Sequence, residues 1–138
     1  MPRAEASTEI AAPAADVFPW LVDSERRLQW VDGLVASEEL GGGRYRETLE
    51  AAGRRVEVTS EIVGRDEPRR LEVRSEGSGV TALGEHVLED RDGATLLTSS
   101  LELRLGGLLR FASGLATSQA QRSLETSLAR LKQLLETA

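Results

Sequence analysis

Apolar and polar positions alternate with a period of two through most of this chain, the spacing of strands with one dry and one wet face. In "EASTEI" the residues Ala6, Thr8 and Ile10 stand opposite Glu5, Ser7 and Glu9. Further runs follow at regular spacing: "GLVASEEL", "RYRETLEA", "RRVEVTSEIVG", "RRLEVRSEG", "GVTALGEHVLE" and "ATLLTSSLELRL". Glycine or Asp-Gly turn signals separate them, at Gly41-Gly42-Gly43, near Gly53 and at Asp92-Gly93. Consecutive strands joined by short turns predict an antiparallel meander. In the third-last run Leu71, Val73 and Ser75 share a face. In the last run Leu97, Ser99, Leu101, Leu103 and Leu105 do.

The period changes twice. After the first strand, Val17, Trp20 and Leu21 recur at three and four residues, a helical face entered through Pro13. Pro19 removes a backbone donor, so this helix is expected to be short or kinked near Ala15. "SERRLQW" predicts a second short helix capped by Ser24. From Leu108 to about Thr137 there is no proline and one glycine, Gly114, which predicts a long closing helix. One stripe of it runs Ser113, Thr117, Ala120, Leu124, Leu128, Leu131, Leu135. Its first half is small and its second half is leucine. Small residues leave room where leucines would fill it, so a cavity is expected beside the first half, against the strands carrying Val58, Val73, His86 and Leu101.

A chain of 138 residues predicts one domain, spanning 1–138. It has no cysteine, which excludes disulfides and thiolate chemistry. The net charge of −6 argues against a general nucleic-acid binder, which needs a basic face. "MPRAEAST" lacks the apolar stretch of a secretory leader, and no run approaches the ~18 apolar residues of a membrane span. No stable membrane insertion is therefore expected, and the location is expected to be cytoplasmic. The Arg pairs 26–27, 54–55 and 69–70 are read as solvated edges.

Chemistry is sparse. His86 is the single histidine, predicted on the inner face with Ala82, Gly84 and Leu88. Alone it forms no metal site, and no metal or cofactor is expected. "GGGR" at 41–44 joins two strands and has no following helix to receive a phosphate. No nucleophile motif occurs. Glu38-Glu39 read as an exposed strand edge. Leu108, Phe111 and Leu115 share a helical face roughly opposite the leucine stripe. They are expected either to fold over the cavity mouth as a gate or to be covered by a second copy in a homodimer.

Phe18, Trp20 and Trp30, from a chain with two Phe, two Trp and one Tyr, crowd into "IAAPAADVFPWLVDSERRLQW". That segment, "RVEVTSEIVGRDEPRRLEV", "LEDRDGATLLTSSLEL" and the closing "RSLETSLARLKQLLE" stand in an order and spacing that resembles the START-like, Bet v 1-like superfamily. Within it the chain is similar to the bacterial polyketide cyclase/dehydrase, or SRPBCC, group, along essentially its whole length. The resemblance implies an α+β helix-grip fold: a curved seven-stranded antiparallel sheet around the C-terminal helix, with a cavity between them. It further implies binding of a small hydrophobic or amphipathic ligand, such as a lipid, in most members and catalysis in some. Trp20 and Trp30 would then close one end of the grip, with Trp30 at the cavity edge. The expected lining is Trp30, Tyr45, Val58, Val73, His86, Ser99, Leu101, Phe111, Ser113, Thr117 and Ala120. The competing reading is an aromatase/cyclase in which His86, Tyr45 and Ser99 orient carbonyls and move protons. A third is a partner-binding module that uses the fold as scaffold.

Overall fold

The computed structural model describes residues 3–51, 53–77, 79–106 and 113–137. Its elements run β1 (Arg3–Ile10), α1 (Ala14–Val22), α2 (Ser24–Trp30), β2 (Leu34–Gly41), β3 (Arg44–Ala51), β4 (Arg54–Asp66), β5 (Arg70–Gly77), β6 (Val80–Arg91), β7 (Ala94–Leu105) and α3 (Ser113–Glu136). The seven strands form one antiparallel sheet in the order β1-β7-β6-β5-β4-β3-β2. Each of β2 to β6 pairs with its successor, and β1 closes on β7. This is the helix-grip arrangement, and the alternation predicted every strand of it.

Register fixes which side chains share the concave face. One row across the sheet is Ala6, Ser99, His86, Leu71. Another is Leu101, Gly84, Val73, Ile62, and a third is Leu103, Ala82, Ser75, Ser60, Tyr45. Register shifts at Leu34/Ala36, Glu39/Gly41 and Ile62/Gly64 insert single residues. Such bulges bend a strand and deepen the sheet's curvature. The outer face is a lattice of exposed ion pairs, among them Arg70–Glu85 and Arg55–Glu50, each worth little in water.

Pro19 does sit inside α1. The carbonyl it leaves unbonded belongs to Ala15, which is exposed and can meet water. Val17, Phe18 and Leu21 turn inward and are at most 3% exposed. The cap of α2 differs from the expectation. Asp23, not Ser24, accepts from the Glu25 N–H at 3.0 Å. Ser24 is instead buried, with its hydroxyl 3.2 Å from that of Ser37.

The 24 residues of α3 span about 36 Å. Leu128 and Leu131, at 2% and 0% exposure, seal its C-terminal half into a core with Ile10, Phe18, Leu71, Leu88 and Leu97. Polar clamps hold the helix on β1. Gln121 accepts from the Glu5 N–H and donates to the Glu5 carbonyl, at 2.9 and 2.8 Å. Lys132 donates to the Glu9 carbonyl, and Glu136 accepts from the Ala11 N–H. The expected helix start at Leu108, with Leu108, Phe111 and the Leu115 side chain of the expected apolar face, lies outside the described residues.

Candidate ligand cavity

The core stops where α3 changes from leucine to small residues. Toward its N-terminus the helix presents Ala116, Gln119, Ala120, Ser123, Leu124 and Ser127 to the sheet. Opposite them Gly84 contributes no side chain to the middle of its row. The result is a cavity of about 640 Å³ between α3 and the concave face. Leu21, Leu49, Val58, Ile62, Leu71, Val73 and Leu101 form its apolar walls.

A polar cluster occupies the β2–β3–β4 side. The Glu47 side chain is only 4% exposed, and the hydrogen bonds it accepts come from neighbouring elements. The Arg27 guanidinium, reaching in from α2, donates from Nη1 to Oε2. The Ser37 hydroxyl donates to the same oxygen at 2.9 Å, and Ser60 donates to Oε1 at 3.2 Å. Ser60 lies 2.7 Å from Ser75. Its one proton goes to Glu47, so Ser75 must donate to it. That leaves the Ser75 oxygen, which lines the cavity, as an acceptor. Arg27 also stacks over the Tyr45 ring, 5.7 Å from its centroid.

His86 stands two rows from Ser75, across the row that holds Gly84. Its Nδ1 is 2.6 Å from the Ser99 hydroxyl, and its ring meets Trp30 edge-on at 6.2 Å and 69°. Burial pushes its pKa down to about 4, with the Arg27 charge adding to the effect. The ring is therefore neutral near pH 7. Burial, and then the Glu39 carboxylate, raise Tyr45 above the ordinary phenol range. The Tyr45 hydroxyl donates to the Val22 carbonyl at 2.8 Å, and Trp30 Nε1 donates to the Trp20 carbonyl at 2.8 Å. The first bond ties the α1–α2 cap to the sheet, and the second ties its two helices together.

At the helix side of the cavity Asp32 binds α3 three ways. Its backbone N–H donates to Ser127 at 2.9 Å, its Oδ2 accepts from Ser123 at 3.0 Å, and its Oδ1 pairs with Arg130 at 3.3 Å. Gly33 follows with a φ of +82°, and a Cβ there would come within 2.8 Å of the Glu50 carbonyl oxygen. Only glycine fits this close, left-handed turn beside Asp32.

Of the sequence candidates, Trp30, Tyr45, Val58, Val73, His86, Leu101 and Ala120 stand in the cavity wall. Ser99 does not. It is fully buried behind His86 and positions that ring. Thr117 does not line the cavity either. The helix is turned so that residues 116, 119, 120, 123, 124 and 127 face it, a stripe offset by about one residue from the predicted one. Phe111 and the Ser113 side chain lie outside the described residues.

Periodicity alone misses Arg27, Asp32, Glu47, Gln119, Ser123 and Ser127, and it puts Ser75 on the Val73 face without marking it as lining. As half of an arginine pair, Arg27 reads as a solvated residue, and the structure corrects this. It turns inward because Glu47 shares the inner face of β3 with Tyr45 and Leu49, and a buried carboxylate there requires a cation. An inward glutamate in an alternating strand is the available signal. Among the described residues no cluster of His, Asp and Glu could hold a metal ion, and no helix is long and apolar enough to cross a membrane.

Comparison with solved structures gives the same architecture. TTHA0849 from Thermus thermophilus superposes with a TM-score of 0.81 at 21% identity, covering 99% of this chain and 98% of that one. A START superfamily protein from Mycobacterium smegmatis gives 0.78 at 18% identity over 98% and 97%. Ara h 8.0201 gives 0.75 at 17% identity over 99% and 98%. At these identities the likeness is one of fold. A search of curated proteins found no match. Residues 1–136 match the family described as polyketide cyclase / dehydrase and lipid transport, and the chain belongs to that family.

Proposed function

We propose that the chain binds a small hydrophobic or amphipathic molecule in the cavity beneath α3. The supporting observation is the space itself. A volume of about 640 Å³ lies within the span of small-molecule sites, roughly 300–1,000 Å³. Its walls are mostly apolar, with one polar cluster around Arg27 and Glu47 and a second where Asp32 meets α3. Protein interiors otherwise close to crystal-like density.

Binding without catalysis is the preferred reading, because the polar groups are poorly suited to proton transfer. A general base works best with a pKa near the working pH. His86 is held near 4, and the Tyr45 hydroxyl is committed to a backbone carbonyl. One observation favours the cyclase alternative: Arg27 brings a cation to the cavity wall, where it could polarise a ligand carbonyl.

Native mass spectrometry of the purified chain tests the binding reading. A bound small molecule at up to one copy per chain is expected, released on denaturation. Delipidated protein should then take up an uncharged fluorescent probe such as N-phenyl-1-naphthylamine with saturable, one-site behaviour. A chain that carries nothing and takes up no probe would sink the proposal. The same spectrum reports whether the chain is a monomer or a homodimer.

A further inference from the structure

The polar side of the cavity limits what the head of a ligand can be. Three charged residues with inward side chains stand at the lining: Arg27, Asp32 and Glu47. Each acid already has a base. Glu47 pairs with Arg27 and Asp32 with Arg130. A ligand carboxylate entering this space would be one negative charge in excess, and burying an uncompensated charge is costly.

Donors are scarce as well. Trp30 Nε1 and the Tyr45 hydroxyl are used on backbone carbonyls, and the Ser37, Ser60 and Ser75 protons run toward Glu47. On the Glu47 side Arg27 is the exception, while Gln119, Ser127 and the second His86 nitrogen keep donors elsewhere in the lining. A guanidinium has five N–H donors, and among the described residues Arg27 uses its side chain in one hydrogen bond, from Nη1. Among the same residues no buried side-chain nitrogen or oxygen lacks a partner. The Arg27 Nε and Nη2 atoms therefore keep accessible surface, in a side chain that is 18% exposed and stands in the cavity wall. Stacking on Tyr45 and the bond to Glu47 fix the plane in which they point.

The geometry points to an apolar ligand whose head is an uncharged carbonyl accepting from the Arg27 guanidinium, in preference to the carboxylate of a fatty acid. The inference rests on the reading of the cavity as a binding site. Glu47 sets the preference by cancelling the charge of Arg27 while leaving its spare N–H groups available. Arg27 acts here as a neutralised donor and not as a cation seeking an anion.

Displacement of N-phenyl-1-naphthylamine tests it, with dodecan-2-one and dodecanoate as competitors at about pH 8, where the acid is ionised. The ketone should compete at least about tenfold better, the size of one hydrogen bond to a charged group. Glu47→Gln removes the cancelling charge and should shift the preference toward dodecanoate by about tenfold or more. Where that single variant does not fold, Arg27→Met combined with Glu47→Met replaces the pair by apolar groups of similar size. With ketone affinity read against the double variant's own measured probe affinity, the double variant should lose about tenfold in ketone affinity. Dodecanoate competing as well as the ketone in the unmodified protein overturns the inference while leaving the cavity a binding site. So does a double variant with undiminished ketone affinity. Failure of the probe itself to bind overturns the underlying reading, and the inference with it.

Discussion

His86 shows how a single residue's surroundings decide its chemistry. The unfolded chain takes up the histidine proton near pH 6.5, and the folded chain near 4. Between these values unfolding takes up a proton, so stability falls as the pH drops. The contribution is fully present above pH 6.5 and is lost as the pH approaches 4. A gap of this size corresponds to at most about 3 kcal/mol. His86→Gln should remove that slope. Denaturant unfolding at several pH values should show the native stability falling relative to the variant's as acid is added from pH 6.5 to 4. Parallel curves would mean that the ring is protonated in the fold without penalty. The alternation of β6 places His86 inward from the sequence alone. It cannot supply Ser99 as the partner at Nδ1, because that contact depends on the β6–β7 register. Nor can it supply Arg27, which arrives from a helix far away in the chain.

At the scale of elements, the strands were legible because each carries its own period, and register follows once one face is dry. The short helices were legible as helices, and their caps were less so, since Asp23 and Ser24 are both good cap residues and only the chain's path selects one. The small-to-large change along α3 was also visible, yet the helix turns one residue away from the stripe it suggested. The turn follows from the polar residues the stripe left out: Ser123 and Ser127 are drawn toward Asp32, and Gln121 toward the Glu5 backbone. The space-filling test therefore belongs at Ala120, which faces the cavity, and not at Thr117. Ala120→Leu adds bulk where the structure is open. It should weaken probe binding by about tenfold or more while leaving stability unchanged or slightly raised. A loss of roughly 1–3 kcal/mol, the usual cost of overpacking, would mean that the site had no room to lose.

For the whole molecule, the question is how a ligand passes a helix held on both sides. Along β1, α3 is fastened by Gln121, Lys132 and Glu136, each bonded to strand or linker backbone. Along the other side α3 is anchored at Asp32, in the turn between α2 and β2. The two sides are unequal. The β1 side also joins the leucine-sealed core, whereas Asp32 holds the middle of the helix, beside the cavity. Opening is therefore expected to hinge on the β1 side and to begin at Asp32. Asp32→Ala removes the Ser123 and Arg130 partners and keeps the backbone bond to Ser127. Exposed and partly exposed pairs contribute little, so the stability loss should be about 1 kcal/mol. Ligand release should respond more strongly, because the lost contacts oppose opening directly. Stopped-flow release of N-phenyl-1-naphthylamine should be several-fold faster, with uptake accelerated in proportion and affinity little changed. Equal rates in the variant and the unmodified protein would place the entrance elsewhere. Faster release with uptake unchanged would mean that Asp32 stabilises the bound state and does not guard the path to it.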